Sequence, residues 1–116
     1  MSIADQAAGH AGRNALVFAA LGDPTRLGIV TRLGARGPLS TMSLTSATRL
    51  SRQAIAKHLR ALEDADLVHG KRGGRDKVWE LRTERLEDVG AYLAQISAQW
   101  DQALGRLRDF VELEQP

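Results

Sequence analysis

The sequence predicts a mainly α domain with one β-hairpin and a long terminal helix. Three observations carry this. At 116 residues and 43% hydrophobic, the chain suits one compact domain with a real core. Apolar residues recur at helical spacing through most of its length. Gly73-Gly74-Arg75 divides the one stretch of extended character. Aromatic residues make up only 4%, so the core has to be built from Leu, Val, Ile and Ala.

Residues 1–12 are small and polar and are expected to be flexible. They lack a basic start followed by an apolar run, so no secretory signal is expected. Leu16, Val17, Ala20 and Leu21 then mark a helix from about Arg13, which Gly22 ends. Asp23-Pro24-Thr25 starts a second helix. Asp23 can cap free amides, and Pro24 loses nothing at a first helical position. That helix carries Leu27, Val30 and Leu33 and stops at Gly34–Gly37, before Pro38. Ser40 can cap a short third helix reaching about Thr48. Ser51 caps a fourth, spanning 51–64, whose Ile55, Leu59 and Leu62 share one face. Gln53, Lys57 and Arg60 stand on the opposite face. Segments 67–72 and 76–81 then form the hairpin, with Lys71, Arg72, Arg75 and Lys77 around its tip.

The last helix runs from about Glu84 to Leu113, roughly 45 Å at about 1.5 Å per residue. Leu86, Val89, Leu93, Ile96, Trp100, Ala103, Leu107 and Phe110 alternate steps of three and four. That is a heptad seam. Gly90 and Gly105 weaken the helix or admit close helix contact.

Charge is unevenly placed. Residues 49–82 hold nine Lys or Arg against five acids, whereas residues 83–116 hold three Arg against seven acids. A basic middle beside an acidic tail fits contact with a polyanion, although a solvated surface would also be charged. There is no Cys, which excludes disulfides, thiolate metal sites and cysteine nucleophiles. No apolar run is long enough to span a membrane, so no membrane partner is expected. No phosphate-cradling Gly-Lys-Ser pattern and no acid-histidine constellation supports an enzyme. No cofactor is expected.

Short helix, turn, helix and basic hairpin in this order have the winged helix-turn-helix layout. The second helix of the pair fits the major groove. Residues 13–82 form the expected DNA-binding domain, and residues 83–113 its long terminal helix. Gln53 can pair with adenine and Lys57 can reach guanine or phosphate. Ser51 can both cap and donate to phosphate. Arg52 has equal reason to meet a base or a phosphate, and Arg60 sits further along, nearer the backbone. On the wing, spanning 68–81, Lys71, Arg72, Arg75 and Lys77 are expected phosphate contacts, with Arg75 best placed for the minor groove. His58 reads as a packed residue bonded to a neighbour or to phosphate. His10 and His69 are assigned no role.

Leu21-Gly22-Asp23-Pro24-Thr25-Arg26-Leu27, Leu50 to Leu62 and the wing from Gly70 to Leu81 resemble the ArsR-type winged helix-turn-helix regulators. The resemblance covers about residues 13–113, with all three motifs in order. It implies a bacterial or archaeal, cytoplasmic, homodimeric transcription regulator, usually a repressor. Its first and last helices form the dimer interface, which places Leu16, Leu86, Val89, Leu93, Ile96, Trp100 and Leu107 there. Trp100 can also line a cavity for a small apolar ligand, and a protein effector is the other open partner.

Three positions depart from the family pattern. Asp66 stands where Gly usually precedes the wing, and Asp tolerates a left-handed turn better than most residues. Arg49 replaces a common Gly before Ser51 and is expected to add a phosphate contact. Many relatives sense metals through Cys-x-Cys in the third helix, but Ser40 and Met42 hold those positions here, and neither suits a soft metal. The last helix has no His, and Asp88 and Asp101 read as surface charge. The expectation is therefore a non-metal-sensing member reading a palindromic operator. The alternatives are a protein-interaction module built on the long helix, or a metal-responsive repressor with carboxylate ligands.

Overall fold

The computed structural model describes the backbone of residues 3–113 and the side chains of residues 11–113. Its elements are α1 (Ile3–Leu21), α2 (Pro24–Arg36), β1 (Leu39–Ser40), α3 (Thr41–Ser46), α4 (Arg52–Asp64), β2 (Val68–Gly73), β3 (Asp76–Leu81) and α5 (Thr83–Leu113).

Helix α1 begins at Ile3, well before the start near Arg13 that the apolar pattern suggests. Met1 and Ser2, also assigned to the flexible segment, lie outside the described residues. Ala4, Ala7, Ala8 and Ala11 explain the extension, because Ala favours helix without needing a core face. Helix α2 starts as expected. The Asp23 carboxylate accepts from the Arg26 backbone N–H at 3.0 Å, and Pro24 takes the first helical position. Gly37, at φ 79°, ends it, a conformation that costs a glycine little.

The hairpin is larger than the sequence suggests. Its strands belong to a three-stranded antiparallel sheet in the order β1-β3-β2. Leu39 faces Trp79 and Ser40 faces Val78. A two-residue strand is too short to show alternation, so β1 left no periodic signal. The loop itself is Gly74-Arg75, while Gly73 ends β2 opposite Asp76. Gly74 has φ 70° and Arg75 is not left-handed, as a type II′ turn with Gly first requires.

The core gathers one face from nearly every element. Val17 and Ala20 come from α1, Ile29, Val30 and Leu33 from α2, and Leu44 from α3. Ile55, Leu59 and Leu62 of α4 are fully enclosed. Each such side chain stabilises the fold by about 1.5–3 kcal/mol relative to exposure. Leu67, Val68, Trp79 and Val89 close the cluster, and Leu86 packs against it.

Helix α4 ends in a left-handed residue. Asp66, at φ 60°, occupies it. The Leu67 N–H returns to the Leu62 carbonyl at 3.0 Å and the Asp66 N–H to that of Glu63 at 2.9 Å. This is the paired bonding of a Schellman cap, where Gly is the usual occupant. The Asp66 carboxylate also pairs with Arg82 at 3.6 Å and Arg85 at 3.7 Å.

Among the described residues, helix α5 joins the core through its first turns, with Val89 and Leu86. Val89 is 6% exposed and lies in the chain's own core. Beyond it, Leu93, Trp100, Leu104, Leu107 and Phe110 are exposed. The molecule is correspondingly elongated, 72 × 39 × 20 Å. No described helix is long and apolar enough to cross a membrane.

Candidate nucleic-acid interface

Helix α4 turns its apolar face inward, which forces its polar face out. Gln53, Lys57 and Arg60 are all exposed on that face. Ser51 caps the helix, its Oγ accepting from the Ala54 N–H at 3.1 Å. The hydroxyl proton is left to donate to another acceptor. Arg49 and Leu50, in the turn before it, are exposed. Arg49 fits the turn without a left-handed φ, since Asp66 is the one such non-glycine among the described residues.

Arg52, the first residue of α4, is not a free cation. Its Nη2 donates to Oδ1 of Asp76 at the root of β3, 3.2 Å away. The other oxygen of Asp76 accepts from the Met42 backbone N–H at 2.9 Å. One carboxylate therefore joins the start of α3, the start of α4 and the wing. The Met42 N–H, helped by the Thr41 hydroxyl and the Arg52 guanidinium, holds the Asp76 carboxyl below the ordinary aspartate range, against partial desolvation. Sequence reasoning missed this residue. The signal was present, because Asp76 is an acid set among Lys71, Arg72, Arg75 and Lys77.

The wing cations divide into three kinds. Arg72 and Arg75 are exposed at the tip. Lys71 is paired with Glu80 at 2.9 Å, and this hydrogen bond holds the Glu80 carboxyl below its usual range. Lys77 lies 5.4 Å from the centre of the Trp79 ring, within reach of a cation–π attraction. The first kind is free for phosphate, whereas Lys71 and Lys77 already have partners.

His58 lies on the flank of α4, packed as expected. Its Nδ1 is 3.5 Å from Arg26 Nη1 and 3.9 Å from Asp23 Oδ2. Arg26 also donates from Nε to the Ala20 carbonyl at 2.6 Å. This cluster ties α4 to the corner between α1 and α2. The Arg26 backbone N–H, ahead of the His58 charge, keeps the Asp23 carboxyl below its ordinary value.

Ser40 caps α3, its Oγ accepting from the Ser43 N–H at 3.1 Å. Met42 is exposed. Asp88 is bonded to Arg85 at 3.2 Å, and Asp101 is exposed. Of the residues expected in the dimer seam, Val89 and Leu86 serve the chain's own core. Ile96 is half-buried, and Leu16, Leu93, Trp100 and Leu107 stand outward.

Comparison with known proteins agrees with this geometry. A helix-turn-helix domain model matches residues 21–71, from the α1–α2 corner into the wing. An uncharacterized HTH-type transcriptional regulator of Bacillus subtilis, YuzN, is 40% identical over 84 residues, which are 67% of this chain and 91% of that protein. The crystal or solution structures that match include an ArsR-like transcriptional regulator from Rhodococcus sp. RHA1, with a TM-score of 0.75 and 39% identity. That match covers 88% of this chain and 95% of the other. A homodimeric winged helix-turn-helix DNA-binding domain from Mycobacterium bovis, solved in solution, matches with a TM-score of 0.63 and 26% identity, over 88% and 91% of the two chains.

Proposed function

This chain belongs to the ArsR-type winged helix-turn-helix transcriptional regulators, and from that premise we propose that it is a homodimeric, sequence-specific repressor reading a palindromic operator. The observation that carries the reading is the exposed α4 face of Gln53, Lys57 and Arg60, joined through Arg52 and Asp76 to the wing that bears Arg72 and Arg75.

Helix α4 enters the major groove. Gln53 presents an amide that can bond adenine at two points, and Lys57 reaches a guanine or a phosphate. Ser51, Arg49 and Arg60 contact the backbone on either side. Arg72 follows the phosphates, while Arg75 at the tip reaches the minor groove. Lys71 and Lys77 join by exchanging a protein partner for phosphate. A second protomer pairs along α1 and the outer half of α5, which the homodimeric Mycobacterium bovis domain supports. Its own α4 then meets the next major groove, about 34 Å away. A dimer in that position, in the cytoplasm, represses by blocking polymerase.

No metal has a part in this reading. Ser40, at the position of a thiolate ligand in metal-sensing relatives, is committed to capping α3. DNA binding and release are therefore insensitive to a chelator.

The test is a fluorescence-anisotropy titration with DNA from upstream of the protein's own gene, with competitor DNA and at two salt concentrations. Tight binding that falls steeply with salt, and is lost in the Gln53→Ala, Lys57→Ala double variant, is the expected result. Weak binding, equal for competitor DNA and for the variant, overturns the reading for that DNA and directs attention to a protein partner of α5.

A further inference from the structure

We propose that Asp76 is a specificity-determining positioning residue, which holds the Arg52 guanidinium so that it reads a guanine edge instead of following the phosphates. The proposal rests on the DNA-reading role argued above for α4.

The first argument is electrostatic. Asp76 is the one acid between Leu67 and Trp79, among Lys71, Arg72, Arg75 and Lys77. An acid in a phosphate-facing hairpin weakens its attraction for any DNA. Its placement makes sense only if it does something that a neutral residue there does not.

The second argument is geometric. The Asp76 side chain is 20% exposed, while that of Arg52 is 58% exposed. The acid faces inward, fixed by the Met42 N–H at 2.9 Å, and the guanidinium faces outward. Arg52 opens α4, and the N-terminal residues of a recognition helix are those that meet base edges. The bond to Asp76 occupies one donor on Nη2. Arginine carries five, so enough remain for the O6 and N7 acceptors of guanine. A tethered guanidinium also loses less rotamer freedom on binding than a free one. Because the same carboxylate holds α3, the reader is referenced to the body of the domain and to the wing together.

This assignment makes an unusual prediction of sign. Asp76→Asn removes a negative charge, so affinity for arbitrary DNA rises. The amide oxygen still accepts from Met42, which keeps the dock. Preference for one guanine in each half-site falls by about tenfold, the scale of one good paired contact.

The experiment is selection from a random duplex library by the full-length wild type, Asp76→Asn and Arg52→Ala. Anisotropy against the selected and a scrambled duplex follows, with thermal unfolding as the control for folding. The expected result is loss of the same single guanine preference in both variants, with tighter scrambled-DNA binding in Asp76→Asn. An unchanged preference profile in folded Asp76→Asn overturns the proposal and leaves Asp76 as a structural dock. If Asp76→Asn does not fold, Arg52→Ala decides, and a guanine preference that survives it overturns the proposal equally. No enriched sequence for the wild type sinks the DNA-reading role itself, and the proposal with it. That outcome is distinct, because the first two require a selective wild type.

Discussion

The indole N–H of Trp79 donates to the hydroxyl of Thr41 at 2.9 Å, and both side chains are buried. This bond joins the inner strand of the wing to the first residue of α3. Thr41→Val keeps the shape but removes the acceptor, leaving a buried N–H unpaired. We expect a loss of about 1–3 kcal/mol in urea unfolding. Thr41→Ser keeps the oxygen and sheds one methyl, for a cost of about 1 kcal/mol or less. Equal stability of Thr41→Val and wild type would show that the indole has another acceptor.

Trp79 also dictates its cross-strand neighbour. Gly70 faces it in register, and a Cβ on Gly70 would stand 2.9 Å from the ring carbon Cζ3. The indole lies over bare backbone. Gly70→Ala must displace the ring from a packed core, at a cost of about 1–3 kcal/mol. Gly28→Ala is the control. Gly28 lies inside α2 with open space around the missing Cβ, so alanine should stabilise by about 0.5–1 kcal/mol. Opposite shifts in melting temperature are expected, and a Gly70→Ala protein as stable as wild type would refute the packing account.

The pH dependence has a definite sign. Asp23, Asp76 and Glu80 all have folded-state pKa values below their ordinary ones. For Asp23 and Asp76 the first cause is a backbone N–H, and for Glu80 it is Lys71. A carboxyl lowered on folding adds stability that is fully present above its unfolded pKa, about 3.9 for Asp and 4.3 for Glu. That stability is lost as pH falls through the folded value. The protein should hold its stability from neutral pH down to about pH 4–5 and lose it below. Asp76→Asn should be less stable than wild type at neutral pH, and the gap should close in acid. Urea midpoints across the acid range measure this, and a gap constant with pH would remove Asp76 from the account.

Much of this was legible because the determinants are local. Asp23-Pro24 and Ser51 announce helix starts through their own capping chemistry, and Ile55, Leu59 and Leu62 declare the buried face of α4 by spacing alone. What stayed hidden depends on contacts distant in sequence. Strand β1 exists because Leu39 and Ser40 lie beside Trp79 and Val78, and two residues carry no period. The tether of Arg52 joins residues 24 positions apart. The sequence places Lys71 among the expected phosphate contacts, and nothing local foretells its bond to Glu80 across the hairpin. The heptad spacing marks an apolar stripe along α5, but spacing does not say which partner covers each turn. Val89 faces its own domain and Leu93 does not. Asp66 is the intermediate case. Its departure from glycine was visible, and the left-handed φ it was expected to tolerate is present, but its ion pairs with Arg82 and Arg85 needed the fold.

The outer half of α5 supplies the last prediction. Leu93, Trp100 and Leu107 are 47%, 63% and 59% exposed, spaced by sevens on one stripe of the helix. Side chains of this size contribute about 1.5–3 kcal/mol each when fully buried, and a twofold interface counts each of them twice. The proposed homodimer therefore buries them. The chain has two tryptophans, and Trp79 is already 4% exposed within the protomer. A change in tryptophan environment with protein concentration consequently reports Trp100. Dilution should shift emission to the red and increase quenching by acrylamide. Leu93→Asp should show the red-shifted spectrum at every concentration, sediment as a monomer and retain its helical content, because Leu93 lies outside the core. Since two half-sites are held by one dimer, the same variant should bind a palindromic duplex no better than a single half-site. A Leu93→Asp protein that still sediments as a dimer, with Trp100 freely quenched in the wild type, would place the subunit contact elsewhere than on α5.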